Sequence, residues 1–118
     1  MNPYTNEYGD KYWYDTDGEY HREDGPACEW ANGNKEWWKH GTYHREDGPA
    51  IERVHGDKFW FKHGKKHRED GPAMEWADGV KYYYLEGIRY SEEEYWKKIK
   101  ELNKCKLFKL EGTKIGWI

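Results

Sequence analysis

The heptapeptide His-Arg-Glu-Asp-Gly-Pro-Ala occurs three times, at His21–Ala27, His44–Ala50 and His67–Ala73, and both steps are 23 residues. A fixed period of this length means one structural unit laid down repeatedly, each copy resting on its neighbours. Two glycine series keep the same period. Gly33, Gly56 and Gly79 follow Asn32, His55 and Asp78, and Gly41, Gly64 and Gly87 form the second series. Between the two series lie Lys-Glu-Trp-Trp (35–38), Lys-Phe-Trp-Phe (58–61) and Lys-Tyr-Tyr-Tyr (81–84). A partial copy begins at Lys11 and carries one extra residue before Gly18, so the array is a half copy followed by three fuller ones.

Each copy reads as a β-hairpin. Ala27–Ala31 is short and alternating, and Asn32-Gly33 is a turn signal because both residues tolerate positive φ. Lys35–His40 is rich in residues that suit a pleated surface. Gly41 opens a loop into the next heptapeptide. Pro49 has no N–H to give to a ladder, so Asp47-Gly48-Pro49 marks a strand boundary. The expected fold is mainly β, an antiparallel meander of repeated hairpins with about seven strands. One C-terminal helix and a short tail hairpin complete it.

The helix is announced by Ser91-Glu92-Glu93-Glu94, a capping box with three acids in the first turn and lysines later. Tyr95, Ile99 and Leu102 share one face, so residues 91–104 should cap the open end of the sheet. The basic tail, 105–118, reads as a last hairpin around Glu111-Gly112. The whole chain, 1–118, is expected to be one domain, with the array over 9–90.

Composition decides what kind of core this is. Leu, Ile, Val and Phe total 14 of 118 residues, a share seen in disordered chains. Yet the net charge is only −3 and there are 8 Trp, 11 Tyr and 3 Phe. Each such ring can bury on the order of 150–250 Å². The core is therefore aromatic. No run approaches the length of a membrane span, the N-terminus lacks a basic and apolar leader, and two cysteines make no disulfide framework. A cytoplasmic location is the expectation. Residues 1–94 hold 13 Lys/Arg against 21 Asp/Glu, while 95–118 hold 7 Lys against 2 Glu. An acidic body with a basic tail is unlike the continuous basic stripe of nucleic-acid binders, so no direct nucleic-acid contact and no membrane contact are expected.

The heptapeptides offer His, Glu and Asp in triplicate, types that ligate metals. His21, His44 and His67, however, sit in separate copies roughly 10 Å apart, two strand spacings. Within one loop, Arg beside Glu and Asp suits internal salt bridges and a turn held by the Asp side chain. No metal site and no cofactor are expected. Catalysis has little else to stand on: Ser91, the sole serine, is a helix cap, and Cys28 stands where Ile51 and Met74 stand in later copies. The reading is non-enzymatic. Alternation splits the second strands into two columns. Tyr12, Tyr14, Trp38, Phe59, Phe61, Tyr82 and Tyr84 should face the core. Trp13, Trp37, Trp60 and Tyr83 lie opposite, each preceded at two positions by Lys11, Lys35, Lys58 or Lys81. That second column reads either as lysine stems resting on rings or as an exposed binding ladder of Trp13, Trp37, Trp60, Tyr83, Lys35 and Lys58.

An aromatic strand ending in Lys39-His40-Gly41, Lys62-His63-Gly64 or Leu85-Glu86-Gly87, with a His three residues after the first two, resembles MORN repeats. It is more similar to the divergent MORN-like variants of bacterial, bacteriophage and large-virus proteins. The likeness covers about residues 9–90, with Arg-Glu-Asp-Gly-Pro-Ala in place of the usual Gly-x-Gly after the His. It implies a hairpin array used for binding and no catalytic residues to carry over. Short acidic chains of this kind also resemble bacteriophage accessory proteins. The function this implies is a protein–protein interaction module, in its most concrete form an inhibitor of a host defence complex such as a CRISPR effector, working in the host cytoplasm. Two alternatives remain open: stacking of a sugar or nucleotide on the aromatic ladder, and self-assembly, including a homodimer through sheet edges.

Overall fold

A computed structural model describes the backbone of residues 2–114 and the side chains of residues 2–106. The strands are β1 (Tyr4–Thr5), β2 (Lys11–Tyr12), β3 (Cys28–Glu29), β4 (Lys35–Glu36), β5 (Trp38–Lys39), β6 (Thr42–Tyr43), β7 (Ile51–Glu52), β8 (Lys58–Phe59), β9 (Phe61–Lys62), β10 (Lys65–Lys66), β11 (Met74–Glu75), β12 (Lys81–Leu85) and β13 (Ile88–Tyr90), followed by α1 (Glu92–Lys114). Nine of them form one antiparallel sheet in the order β1-β2-β3-β4-β7-β8-β11-β12-β13. The meander and its C-terminal helix are as the repeat implied. The sheet has nine strands and not the expected seven because it begins at Tyr4 and ends on β13, and outside it the copies contribute a second hairpin, β5–β6 and β9–β10.

That second hairpin comes from a kink. β4 and β5 are one run bent at Trp37, whose N–H donates to the Ala50 carbonyl at 2.7 Å while its own carbonyl accepts from the His44 N–H at 3.1 Å. Pairing thereby passes from the neighbouring copy to an arm of the same copy, β5–β6, and likewise β9–β10. The arms close with two-residue turns, His40-Gly41 at φ 45° and 83°, His63-Gly64 at 51° and 80°. Positive φ at both positions is the type I′ turn that matches strand twist. The sequence reading took Gly41 as the start of a loop because His-Gly is a weaker turn signal than Asn-Gly. The Asn32-Gly33 turn itself is a three-residue loop, with the Trp30 N–H donating to the Asn34 carbonyl at 2.9 Å. The partial copy closes its arm with a loop of that longer kind, Asp15–Glu19, which accounts for its extra residue.

Register separates the two faces. Tyr4, Tyr12, Cys28, Glu36, Ile51, Phe59, Met74 and Tyr82 stand opposite one another across successive strands and share one face. The row beside it, Thr5, Lys11, Glu29, Lys35, Glu52, Lys58, Glu75 and Lys81, shares the other, with acid and base alternating from Lys11 to Lys81. Cross-strand pairs of opposite charge stabilise a sheet by about 0.2–1 kcal/mol each. The first row carries the core, with Cys28, Ile51, Phe59 and Met74 buried. Burial, aided by Glu36, pushes the Cys28 thiol up to about 12. Among the described residues no second layer of secondary structure supplies this burial: the molecule measures 61 × 37 × 17 Å, and half-buried rings such as Tyr43, Phe61, Trp76 and Tyr82 lie over the row.

Consecutive copies are tied at the turns as well. A side-chain oxygen of Asp10, Asn34 and Asp57 accepts the backbone N–H of Ala31, Val54 and Ala77 in the next turn, at 2.7, 2.9 and 2.8 Å. The next member of that series is Val80, where no further turn of this kind follows.

α1 closes the array. The Ser91 hydroxyl accepts the Glu94 N–H at 3.2 Å and donates to the Glu94 carboxylate at 3.1 Å, so Glu94 returns to the hydroxyl and not to the Ser91 backbone. Tyr95 and Ile99 are buried against Leu85, but Leu102 is 38% exposed because the helix has by then run past the sheet. The expected hairpin around Glu111-Gly112 does not form, since α1 continues to Lys114 through good helix formers such as Lys106, Leu107, Lys109 and Leu110. Residues 115–118 of the expected tail hairpin lie outside the described residues. Among the described residues no helix is long and apolar enough to cross a membrane.

The turn ties carry a pH dependence. The backbone N–H of Ala77 holds the Asp57 carboxyl below its ordinary 3.8, and that of Ala31 does the same for Asp10. A carboxyl lowered on folding stabilises the fold above its unfolded value, and that stability is lost as pH falls through the folded value. Urea midpoints should hold above 3.8 and drop below it. Asp57→Asn keeps the acceptor, as Asn34 does natively, and should flatten part of the drop. An unchanged acid limb would contradict the tie.

Candidate interaction faces

The heptapeptide forms the same clamp three times. Arg22, Arg45 and Arg68 place their guanidinium carbons 3.8 Å from the ring centroids of Trp13, Trp37 and Trp60. Arg45 donates from Nε to Asp47 at 3.0 Å, and from a terminal nitrogen to the Pro49 carbonyl at 3.0 Å and to Glu52 at 2.7 Å. Arg22 and Arg68 repeat this with Asp24, Pro26 and Glu29, and with Asp70, Pro72 and Glu75. The planar fork supplies several donors in fixed directions while its face lies on indole, which an ammonium cannot reproduce. The salt bridges are those the sequence implied. The Asp side chain, however, takes the arginine Nε–H and is not shown holding a backbone N–H of the turn.

The motif's glycine follows from this packing. A Cβ on Gly48 would come within 2.9 Å of the Arg45 guanidinium carbon, so the chain must pass bare beneath the arginine.

The histidine joins one copy to the next. His21, His44 and His67 are buried, and the Nδ1 of each accepts the backbone N–H of His40, His63 or Glu86 at 2.9–3.0 Å. The Nε2 of each faces Glu23, Glu46 or Glu69 at 3.2, 2.7 and 3.0 Å. A neutral ring accepting at Nδ1 carries its proton on Nε2, which donates to the glutamate. Lys39, Lys62 and, from α1, Lys106 approach the same glutamates at 3.6, 3.2 and 2.6 Å. Lys62 holds the Glu46 carboxyl below its ordinary value, and Lys106 does so for Glu69.

Among the described residues three groupings have metal-like composition: the carboxylates Asp15, Asp17 and Glu19 in one exposed turn, and two that include histidines, Asp15, His21 and His40, and His44, Glu46 and His63. The hydrogen bonds of the two histidine groupings leave them poor ligands. A metal on Nε2 of His21 or His44 would need either an imidazolate or the loss of the backbone bond at Nδ1, whereas metal-bound histidine ordinarily donates from its second nitrogen.

The expected ladder of Trp13, Trp37, Trp60, Tyr83, Lys35 and Lys58 is placed on one face as alternation required, but not as an open surface. Trp13 is buried, and Trp37 and Trp60 are half-buried beneath arginine. Tyr83 lies against Tyr95 of α1, centroids 4.8 Å apart. Lys35 and Lys58 are exposed, standing opposite Glu29 and Glu52, and Glu52 and Glu75. Period alone could not show that the arginine 8 or 9 residues further on returns over each indole.

The other face holds the open aromatic surface, in which Tyr12, Tyr14, Trp38, Phe59, Phe61 and Tyr82, assigned to the core by alternation, are joined by Tyr20, Trp30, Tyr43 and Trp76. Tyr14, Tyr20, Trp38, Tyr43 and Phe61 run along the arms with successive centroids 5.4, 5.3, 4.0 and 5.0 Å apart. Tyr12 and Trp30, then Phe59, Trp76 and Tyr82, continue it at 5.2–5.4 Å in edge-to-face pairs. Apart from buried Phe59 these rings are half-buried, and Tyr14 is 36% exposed. Burial raises Tyr20, and raises Tyr43 to about 12 with help from Glu36. Three cations lie on this face: Arg53 over Phe59, Lys66 over Tyr84 and Arg89 over Tyr82. Among the described residues no element covers it, whereas α1 covers the far end of the clamp face.

Comparison with protein-family models, characterised proteins and solved structures returns no match to this chain.

The clamp predicts its own mutational signature. Arg45→Ala should cost about 2–4 kcal/mol in urea unfolding, from one ring contact and charged hydrogen bonds, and Arg45→Lys should recover less than half of it. Gly48→Ala should cost about 1–3 kcal/mol by overpacking. Full rescue by lysine would contradict the planar clamp.

Proposed function

We propose that the chain is a non-enzymatic protein-interaction module that docks through its aromatic face. The observation that carries this reading is a continuous surface of Tyr and Trp rings, half-exposed on a one-layer sheet, with no element over it among the described residues. Tyr and Trp are the residues enriched where interfaces concentrate their energy. The histidines, arginines and acids of the heptapeptides hold the copies together, which supports a binding role over a catalytic one.

Protein is favoured over a small planar ligand by ring geometry. A sugar or base stacks on a free ring face. Tyr20, Trp38 and Tyr43 each have ring neighbours on both sides, so they offer edges outward more than faces.

The narrower version is an inhibitor that occupies the basic groove of a nucleic-acid-binding defence complex. Its support is charge: residues 1–94 carry a net −8. Opposite potentials speed encounter and fix orientation. Nucleic acid should compete with such binding.

The test is affinity capture from lysate of the producing cell with tagged wild type, a Trp38→Lys/Tyr43→Lys variant and a Lys35→Ala/Lys58→Ala variant, each checked for folding by circular dichroism. Proteins held by wild type and by the lysine-to-alanine variant, but lost from the aromatic-face variant, are the expected result. Identical captures from all three would contradict docking through this face.

A further inference from the structure

We propose that the aromatic face is occupied by a second copy of this chain, giving a two-layer sandwich with both clamp faces outward. This rests on the reading that the face docks a protein, and names the occupant. Three observations argue for it.

The first is thickness. The molecule is 17 Å across its thin axis, and among the described residues its core row is covered by half-buried rings alone. Sheets with one apolar face ordinarily bury it against another layer, at about 10 Å between sheets. A second copy supplies that layer.

The second is area. Nine strands at about 4.8 Å, and the five residues of one β4–β5 run (Lys35–Lys39) at about 3.3 Å, bound a face near 38 × 17 Å, or roughly 650 Å² per copy. That falls at the lower end of what each partner contributes to a stable interface.

The third is the distribution of charge along the face. Its cations, Arg53, Lys66 and Arg89, all lie in the C-terminal half. The N-terminal half offers Tyr12, Tyr14, Tyr20 and the carboxylate of Glu36, which accepts the Trp38 indole N–H at 3.0 Å. A two-fold axis running along the strands lays the N-terminal half of one copy on the C-terminal half of the other. Cations then meet tyrosine rings and glutamate in both directions, as a self-complementary interface requires.

Sedimentation equilibrium of wild type from about 5 to 500 µM, a range that detects micromolar dimers, should give twice 14.4 kDa. Tyr14→Lys and Tyr43→Lys should each shift the population at least tenfold toward monomer with unchanged circular dichroism; Tyr14, at the more exposed end, serves if Tyr43→Lys does not fold. Wild type that stays monomeric throughout overturns the proposal. So does a dimer that survives both lysine variants and is lost in Thr5→Pro, which would place the contact at the β1 edge. A monomer that still captures another protein through the aromatic face ends the dimer and leaves the docking reading standing. A monomer that captures nothing ends both.

Discussion

A guanidinium seated over an indole ring, with its nitrogens held by an aspartate, a proline carbonyl and a glutamate, is the contact on which this fold depends. It occurs at Arg22, Arg45 and Arg68 with the same 3.8 Å separation. A one-layer sheet of two-residue strands cannot hold its loops by hydrophobic burial alone, because too little apolar area is available. The arginine draws loop, strand and ring together in each copy, and the glycine beneath it exists to let it lie there. The histidine one residue earlier then ties the copy to the arm of the next, through a backbone N–H on the left-handed residue of the turn.

The ends of the array show the same logic through what is missing. After the third clamp no further heptapeptide follows, and α1 stands in for the absent copy. Tyr95 packs on Tyr83 where an arginine would lie, its hydroxyl donating to the Arg68 carbonyl and accepting the Gly71 N–H at 3.2 Å. Lys106 reaches Glu69 as Lys39 and Lys62 reach Glu23 and Glu46. Val80 replaces the oxygen-bearing Asp10, Asn34 and Asp57 at the position with no later turn to bind. Terminal units of a repeat protein differ because their outer neighbour is gone.

Much of this was legible in the sequence. The 23-residue period gave the copies, Asn32-Gly33 and Asp78-Gly79 gave turns, alternation at Lys35–Trp38 put Lys35 and Trp37 on one face, and Ser91–Glu94 gave the helix start. Three things were not. The His40-Gly41 arm was hidden because His at positive φ is uncommon and carries little turn signal. The covering of Trp37 by Arg45 was hidden because that contact depends on where the arm turns the chain back. The openness of Tyr14, Tyr20 and Trp38 was hidden because a pattern of alternation says which residues share a face, not whether a second layer covers it.

The claim at the centre is that the three heptapeptide arginines are locked on indole in the native protein. Proton–nitrogen NMR of the arginine Nε–H groups tests it directly. Arg22, Arg45 and Arg68, whose Nε–H groups donate to Asp24, Asp47 and Asp70, should give three signals both shifted by ring current and slow to exchange, set apart by that slow exchange from Arg89 over Tyr82 and by both from Arg53, whose guanidinium is 5.4 Å from its ring. All arginine signals at the position of a free side chain, exchanging as fast as Arg53, would contradict the account.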